Sequence, residues 1–219
     1  EFLRQRFFQQ INRVRMENLR SRISPHFTFN VLGREINQFN GSEEVKHNLM
    51  ELVKYLRRSL ELTEKLSVSL QDELDFVRTY IELERGRVGE DFVATITVED
   101  GLDATRIMIP SMIVQIPVEN AIKHGLAGKD GKKELMVYVS RETNGIRITV
   151  TDNGRGYLPQ VVSATRGTGT GLKVLYQTIQ LLNTKNKSDK IRFNITNRSD
   201  GQTGTEVSVY IPFRFSYDL

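Results

Sequence analysis

The 219 residues include no cysteine. That excludes disulfide frameworks and thiolate chemistry and suits a reducing cytoplasm. Long apolar runs are missing too: none approaches the ~20 residues that a membrane-spanning helix needs, and no signal-peptide pattern is present. Internal repeats and low-complexity tracts are absent. Charge of one sign is modest, at +4 net, and much of the basic excess lies in Arg4, Arg6, Arg13, Arg15, Arg20 and Arg22 near the start. No aromatic-interleaved basic strand and no zinc-finger spacing follows this patch, which argues against a nucleic-acid partner. Proline is sparse, with five residues, and one of them, Pro25, falls inside a helical pattern directly before His26. Proline there removes an N–H and crowds the carbonyl four residues back, so a bend is expected under the imidazole.

With 38% hydrophobic and 26% charged residues, the chain has the composition of one large or two modest domains. Apolar residues at Leu3, Phe7, Ile11, Val14, Leu19, Ile23, Phe27 and Val31 follow a helical period through residue 40 or so. Gly41-Ser42 breaks the pattern and offers an N-cap to a second helix with Val45, Leu49, Leu52, Leu56 and Leu60 on one seam. Two such helices form a hairpin whose apolar faces are covered most simply by a second copy, giving a four-helix bundle. Ser69 reads as the N-cap of a third helix, with Asp72 and Glu73 in its first turn and an end near Arg85-Gly86.

From Phe92 to Val98 the period becomes two, the mark of a strand. A helix from about Ser111 to His124, strands near 135–140 and 146–151, a glycine-rich loop, a helix near 171–182 and strands near 191–197 and 205–211 complete an α+β chain. Asn144-Gly145 between two alternating runs signals a hairpin. The division expected is a helical dimerisation domain at 1–66, a hinge and linking helix at 67–85 and a two-layer α/β domain at 86–219. Glu1 opens directly into helical periodicity, as expected of a piece of something longer.

Three polar clusters carry the chemistry of the second half. Glu119-Asn120-Ala121-Ile122-Lys123-His124-Gly125 places an amide and two cationic groups three and four residues apart, suited to a hard cation and phosphate oxygens or, equally, to a solvated helix face. Asp152-Asn153-Gly154-Arg155-Gly156 puts a carboxylate at a strand end, followed by glycines that let the backbone approach a flat ligand; a simple turn fits as well. Arg166-Gly167-Thr168-Gly169-Thr170-Gly171-Leu172-Lys173 is a glycine loop entering a helix whose N–H groups suit phosphate, although it matches neither the Walker loop nor the dinucleotide fingerprint.

Taken in order, Ile23 to Asn30 (ISPHFTFN), Val68 to Glu84, Ile109 to Gly125, and the DNGRG and GTGTGLK stretches closely resemble the LytS-type sensor histidine kinases, from about Leu19 to Pro212. The resemblance implies a dimeric helical phosphoacceptor domain joined to a Bergerat-type (GHKL) ATP-binding domain of the kind shared with gyrase, Hsp90 and MutL. It implies His26 as the phosphorylated residue, Asn120 as a Mg²⁺ ligand, and Lys123 and His124 beside the phosphates of ATP. Asp152 would accept from the adenine amino group, Gly154 and Gly156 would shape its pocket, Gly169 and Gly171 would belong to the ATP lid, and Thr205 would lie close to Asp152. The expected partners are a second copy and a response-regulator protein. Attachment to a bacterial inner membrane would come only through an N-terminal sensor region outside this sequence, leaving a cytoplasmic kinase core.

The chain departs from the family where Thr28 stands for leucine, Gly33 for asparagine, and Val174 and Thr178 for the asparagine and arginine of the lid helix. Two other functions compete with an active kinase: a degenerate one acting as a nucleotide-binding scaffold or phosphatase partner, and an ATP-hydrolysing relative of gyrase and MutL.

Overall fold

A computed structural model describes residue 36 and residues 42–157, 170–186 and 188–217. His26, Gly169 and, apart from residue 36, the first helix of the expected hairpin lie outside the described residues. The chain divides into two units, Glu1–Leu66 and Ser67–Leu219.

In the first unit, helix α1 (Glu43–Glu64) starts where Ser42 accepts a bond from the Val45 N–H at 3.4 Å. Lys54 pairs with Glu51 and Arg58 with Glu61 along its surface. Such exposed pairs contribute a few tenths of a kcal/mol each, about 0.3–0.5, so they do not organise the helix. Its apolar seam is incompletely covered: Val45 and Leu52 are 44% and 39% exposed.

The second unit opens with a short strand, β1 (Ser67–Ser69), which pairs antiparallel with β3 (Met108–Pro110). Helix α2 (Leu70–Val88) follows, capped by Ser69, whose hydroxyl accepts from Asp72 N–H at 3.0 Å. It runs slightly past the expected end, and Gly89 stops it with φ +112, a conformation that L side chains rarely adopt. The segment expected as hinge and link is therefore tied into this unit from Ser67 onward.

The five-stranded sheet has the order β2-β4-β5-β7-β6, from β2 (Phe92–Val98), β4 (Lys133–Glu142), β5 (Gly145–Asp152), β6 (Arg192–Asn197) and β7 (Thr205–Pro212). β2 pairs parallel with β4, and the other pairings are antiparallel. Alternation along β4 buries Leu135, Val137 and Val139 and exposes Met136 and Tyr138, so the sheet has one wet face. The buried face meets apolar residues of α2 (Leu74, Val77, Ile81), of α3 (Gln115–Asn120) and of α4 (Thr170–Lys185), a two-layer sandwich.

The helix expected from Ser111 is different in kind. Its α-helical part begins only at Gln115, preceded by a turn in which Met112 takes φ 69, and from Ala121 to Gly125 it widens to a π turn closed by Leu126 N–H on the Ala121 carbonyl at 2.8 Å. The late start has a physical cause, the buried Glu73 carboxylate, which accepts from the N–H groups of Met112, Val114 and Gln115 at 3.0, 3.1 and 3.1 Å. Pro117 is tolerated because its missing N–H falls in the first turn, where no partner is needed.

Candidate functional site

Asp152 ends β5 at the centre of the sheet, only 3% exposed. Its Oδ1 accepts from Gly154 N–H at 2.8 Å and Thr205 N–H at 3.4 Å, and the Thr205 hydroxyl adds a further bond. A carboxylate offers about four lone-pair positions, so one acceptor position remains for a ligand. Burial pushes the Asp152 carboxyl above its ordinary value of 3.8, against the opposing pull of those bonds and of the Arg198 charge.

The space around this carboxylate exists because side chains are missing. A Cβ on Gly125 would lie 2.9 Å from Asp152 Oδ1; on Gly154, 2.2 Å from the Gly125 carbonyl oxygen; on Gly204, 1.9 Å from the Asp152 carbonyl oxygen. Gly156, at φ +86, brings the next peptide to Asn197, whose Oδ1 accepts from Tyr157 N–H at 2.6 Å. Gly125 and Gly204 were not among the sequence-derived site residues. Their signal is close backbone approach, which no local pattern displays.

Gly204→Ala is expected to cost roughly 3 kcal/mol or more, since its φ of +138 disfavours a Cβ and the clash is with backbone that cannot rotate away. Gly201→Ala is the control, at φ +79 with open space around it, and should cost about 1 kcal/mol. Thermal unfolding of the two variants checks the contrast; equal losses would show that the contact with Asp152 is immaterial.

Asn120 closes α3, its side-chain nitrogen donating to the Ile116 carbonyl at 2.9 Å, which leaves the amide oxygen as the available acceptor. Lys123 pairs with Glu119. His124 is half-buried, and desolvation together with the Lys123 and Arg155 charges holds its imidazole below 6.5, so it is predominantly neutral at pH 7. The π turn alters the angular offset of Lys123 and His124 from Asn120 relative to the shared α-helical face expected from their spacing.

The first two clusters meet through the backbone: Arg155 Nε donates to the His124 carbonyl at 2.8 Å, and Arg155 N–H donates to that of Gly125 at 3.4 Å. The third joins at α4, where Gly171 lies so close that an added Cβ would be 3.4 Å from Ile116. Where the lid helix carries an arginine in the family pattern, Thr178 is 2% exposed inside the packed face. Asn153, by contrast, is structural; its Oδ1 accepts from Glu134 N–H at 2.8 Å and its Nδ2 donates to the Lys132 carbonyl at 3.0 Å.

No group of three or more His, Asp or Glu side chains able to hold a metal occurs among the described residues. The donor set nonetheless fits a magnesium ion shared with a polyphosphate, because that ion keeps waters and phosphate oxygens and takes only one or two protein oxygens. Asn120 Oδ1 is an oxygen of that kind, since the amide nitrogen is the atom engaged by the Ile116 carbonyl.

Residues 14–92 match the histidine kinase family model, and residues 105–214 match that of the histidine kinase-, DNA gyrase B- and HSP90-like ATPases. The sensor histidine kinase YpdA of Escherichia coli (strain K12) is 28% identical over 205 residues, covering 93% of this chain and 35% of the relative. The sensor histidine kinase/phosphatase LytS of Staphylococcus aureus (strain MRSA252) is 32% identical over 197 residues, covering 86% of this chain and 33% of the relative. The chain thus spans about a third of the length of these curated relatives. Among solved structures, the histidine kinase domain of the EL346 blue-light activated histidine kinase from Erythrobacter litoralis shares the fold, with a TM-score of 0.51 at 16% identity over 97% of this chain and 95% of that one. No helix among the described residues is long and apolar enough to cross a membrane. With a glycine-cradled carboxylate at the heart of its second unit and both family models matched in sequence order, the chain belongs to the histidine kinase-, DNA gyrase B- and HSP90-like ATPases and, within them, to the sensor histidine kinases.

Proposed function

We propose that this chain is a kinase core that phosphorylates its own His26 from ATP and passes the phosphoryl group to an aspartate of a response regulator. The observation that carries the reading is Asp152, a buried carboxylate with one acceptor position left over and glycines on three sides. That arrangement suits a flat base presenting an amino group. Asn120 Oδ1 would hold Mg²⁺ against the phosphates, and Lys123 and His124 would face the same end. When bound, the ion offsets charge on the phosphate oxygens and on the leaving diphosphate.

The chemistry is in-line transfer. A neutral imidazole nitrogen of His26 forms a bond to the γ-phosphorus, the bond to the β–γ bridging oxygen breaks, ADP departs, and the imidazole N–H proton goes to solvent. Transfer to the regulator repeats this with an aspartate oxygen as nucleophile and the imidazole as leaving group. Positioning supplies most of the rate, as is general for phosphoryl transfer. In this reading residues 1–66 form the dimerisation and phosphotransfer domain, 67–85 the linking helix and 86–219 the ATP-binding domain with Gly154, Gly156, Gly169, Gly171 and Thr205 at the nucleotide. The exposed seam of α1 supports a homodimer, which would cover Val45 and Leu52. In the same reading the core lies in the cytoplasm and answers a sensor region, sensor being the word that the names of the longer relatives carry.

The test is incubation with ATP labelled at the γ-phosphate, with Mg²⁺. A protein-bound label that is lost in acid and retained in alkali is expected. Nucleotide binding without any label would favour a scaffold or phosphatase partner, and steady hydrolysis without label would favour an ATPase of the gyrase kind.

A further inference from the structure

Glu73 is an acidic residue with 0% exposure, and it is not among the residues assigned to the nucleotide. Its carboxylate instead gathers three backbone N–H groups, those of Met112, Val114 and Gln115, across about forty residues of sequence. A carboxyl group that accepts three backbone N–H groups at once ties that backbone into one geometry. The bonds hold Met112 at φ 69, a conformation unusual for a non-glycine residue and one that persists only where its surroundings over-determine it. They also set where α3 begins, and one and a half turns later the same helix ends in Asn120.

Glu73 does not act alone. The first residues of the second unit grip one stretch of chain: Ser67–Ser69 pairs with Met108–Pro110, Leu70 N–H donates to the Ile107 carbonyl at 2.8 Å, and Gln71 N–H donates to that of Ala104 at 3.0 Å. Residues 67–73 and 104–115 are thus one clamp, with the end of the first unit on one side in sequence and the amide of Asn120 on the other. Burying a carboxylate costs far more than a neutral side chain would, and a plain helix start could be capped by a surface serine as at Ser42 and Ser69. The arrangement makes sense if the start of α3 must be held firmly in one place.

We infer that Glu73 is the positioning residue for the metal end of the nucleotide site: through Met112, Val114 and Gln115 it holds α3 so that Asn120 Oδ1 meets the ion shared with the triphosphate. This rests on the reading of Asn120 as the magnesium ligand. The adenine end, built on Asp152, Gly154 and Thr205, shares no bond with Glu73 among those described above and should be indifferent to it.

The experiment is calorimetric titration of the full chain with ATP, with and without Mg²⁺, for wild type, Glu73→Gln, Asn120→Ala and the double variant. The gain in affinity on adding Mg²⁺ should fall by about tenfold in Glu73→Gln, in the range seen when a residue supporting a metal ligand is replaced. Affinity for Mg²⁺-free ATP should stay within about twofold. Asn120→Ala should remove the gain, and the double variant should lose no more than Asn120→Ala alone. A Glu73→Gln protein that melts earlier yet keeps the full Mg²⁺ gain has lost only a structural bond, and overturns the inference. Asn120→Ala keeping the gain overturns the metal assignment itself, a different outcome read from a different variant. Amide exchange in the wild-type protein needs no variant: Met112, Val114 and Gln115 should exchange more slowly with ATP and Mg²⁺ than with ATP alone, as reciprocity of coupling demands. Equal exchange in the two conditions overturns the inference as well.

Discussion

Replacing His26 by glutamine is expected to abolish the acid-labile label, by at least about 100-fold, while leaving ATP affinity within about twofold. Glutamine retains a polar group of comparable reach, but its amide nitrogen has no free lone pair, so nucleophilicity is removed with little change in shape. Every side chain assigned to nucleotide binding, Asn120, Lys123, His124, Asp152 and Thr205, lies in the second unit, whereas His26 lies in the first. Binding and transfer should therefore separate in this variant. Labelling of wild-type extent in His26→Gln would move the nucleophile elsewhere, and loss of both label and binding would mean that residue 26 supports the nucleotide site.

The second large effect belongs to Asp152→Asn, for which ATP affinity should fall by about 100-fold. The reason lies in the geometry of Oδ1. Gly154 and Thr205 both direct N–H groups at that atom, so the single carbonyl oxygen of an asparagine must stay there and its NH₂ group must face the ligand. A donor would then oppose the adenine amino donor. A lost charge-assisted bond plus a buried mismatch amounts to roughly 3 kcal/mol, hence the hundredfold. Inosine triphosphate, with an oxygen in place of the amino group, supplies the discriminating arm. The preference for ATP over ITP should collapse in the variant, and equal loss of both nucleotides would refute the role of Asp152 at the base.

The same carboxylate makes affinity depend on pH. Burial raises its folded pKa above 3.8, and the ionised form is the one that accepts from adenine, so affinity should decline as pH falls through that raised value, earlier than an ordinary surface carboxylate would allow. Stability moves the other way. A carboxyl whose folded pKa exceeds its unfolded one contributes stability at low pH that is lost as pH rises through the folded value. Asp152→Asn should remove this dependence and should not lower the melting temperature at pH 7.

The sequence by itself determined the broad plan, because its signals are local or periodic. Ser42 and Ser69 sit where helices begin and their hydroxyls accept the expected N–H bonds; the hairpin signalled by Asn144-Gly145 joins β4 to β5, although it turns at Thr143-Asn144 with Gly145 already paired to Glu142; alternation located β2, β4, β5, β6 and β7 to within a few residues. Motifs in fixed order located Asp152 and Asn120, which the fold joins through Gly125 and Arg155. The tertiary structure alone decided the rest. Strands of three residues such as β1 and β3 carry no period, and the parallel pairing of β2 with β4 is a choice among edges that no single strand encodes. Glu73 stands beside Asp72 in a first turn where both read alike as acids at a helix start, yet Asp72 bonds the Ser69 hydroxyl at the surface while Glu73 turns inward and moves the start of α3 from Ser111 to Gln115. The glycines at 125 and 204 matter only because of what lies opposite them, the carboxylate and the carbonyl of Asp152, and such an approach between distant segments is settled by packing, not by neighbours in sequence.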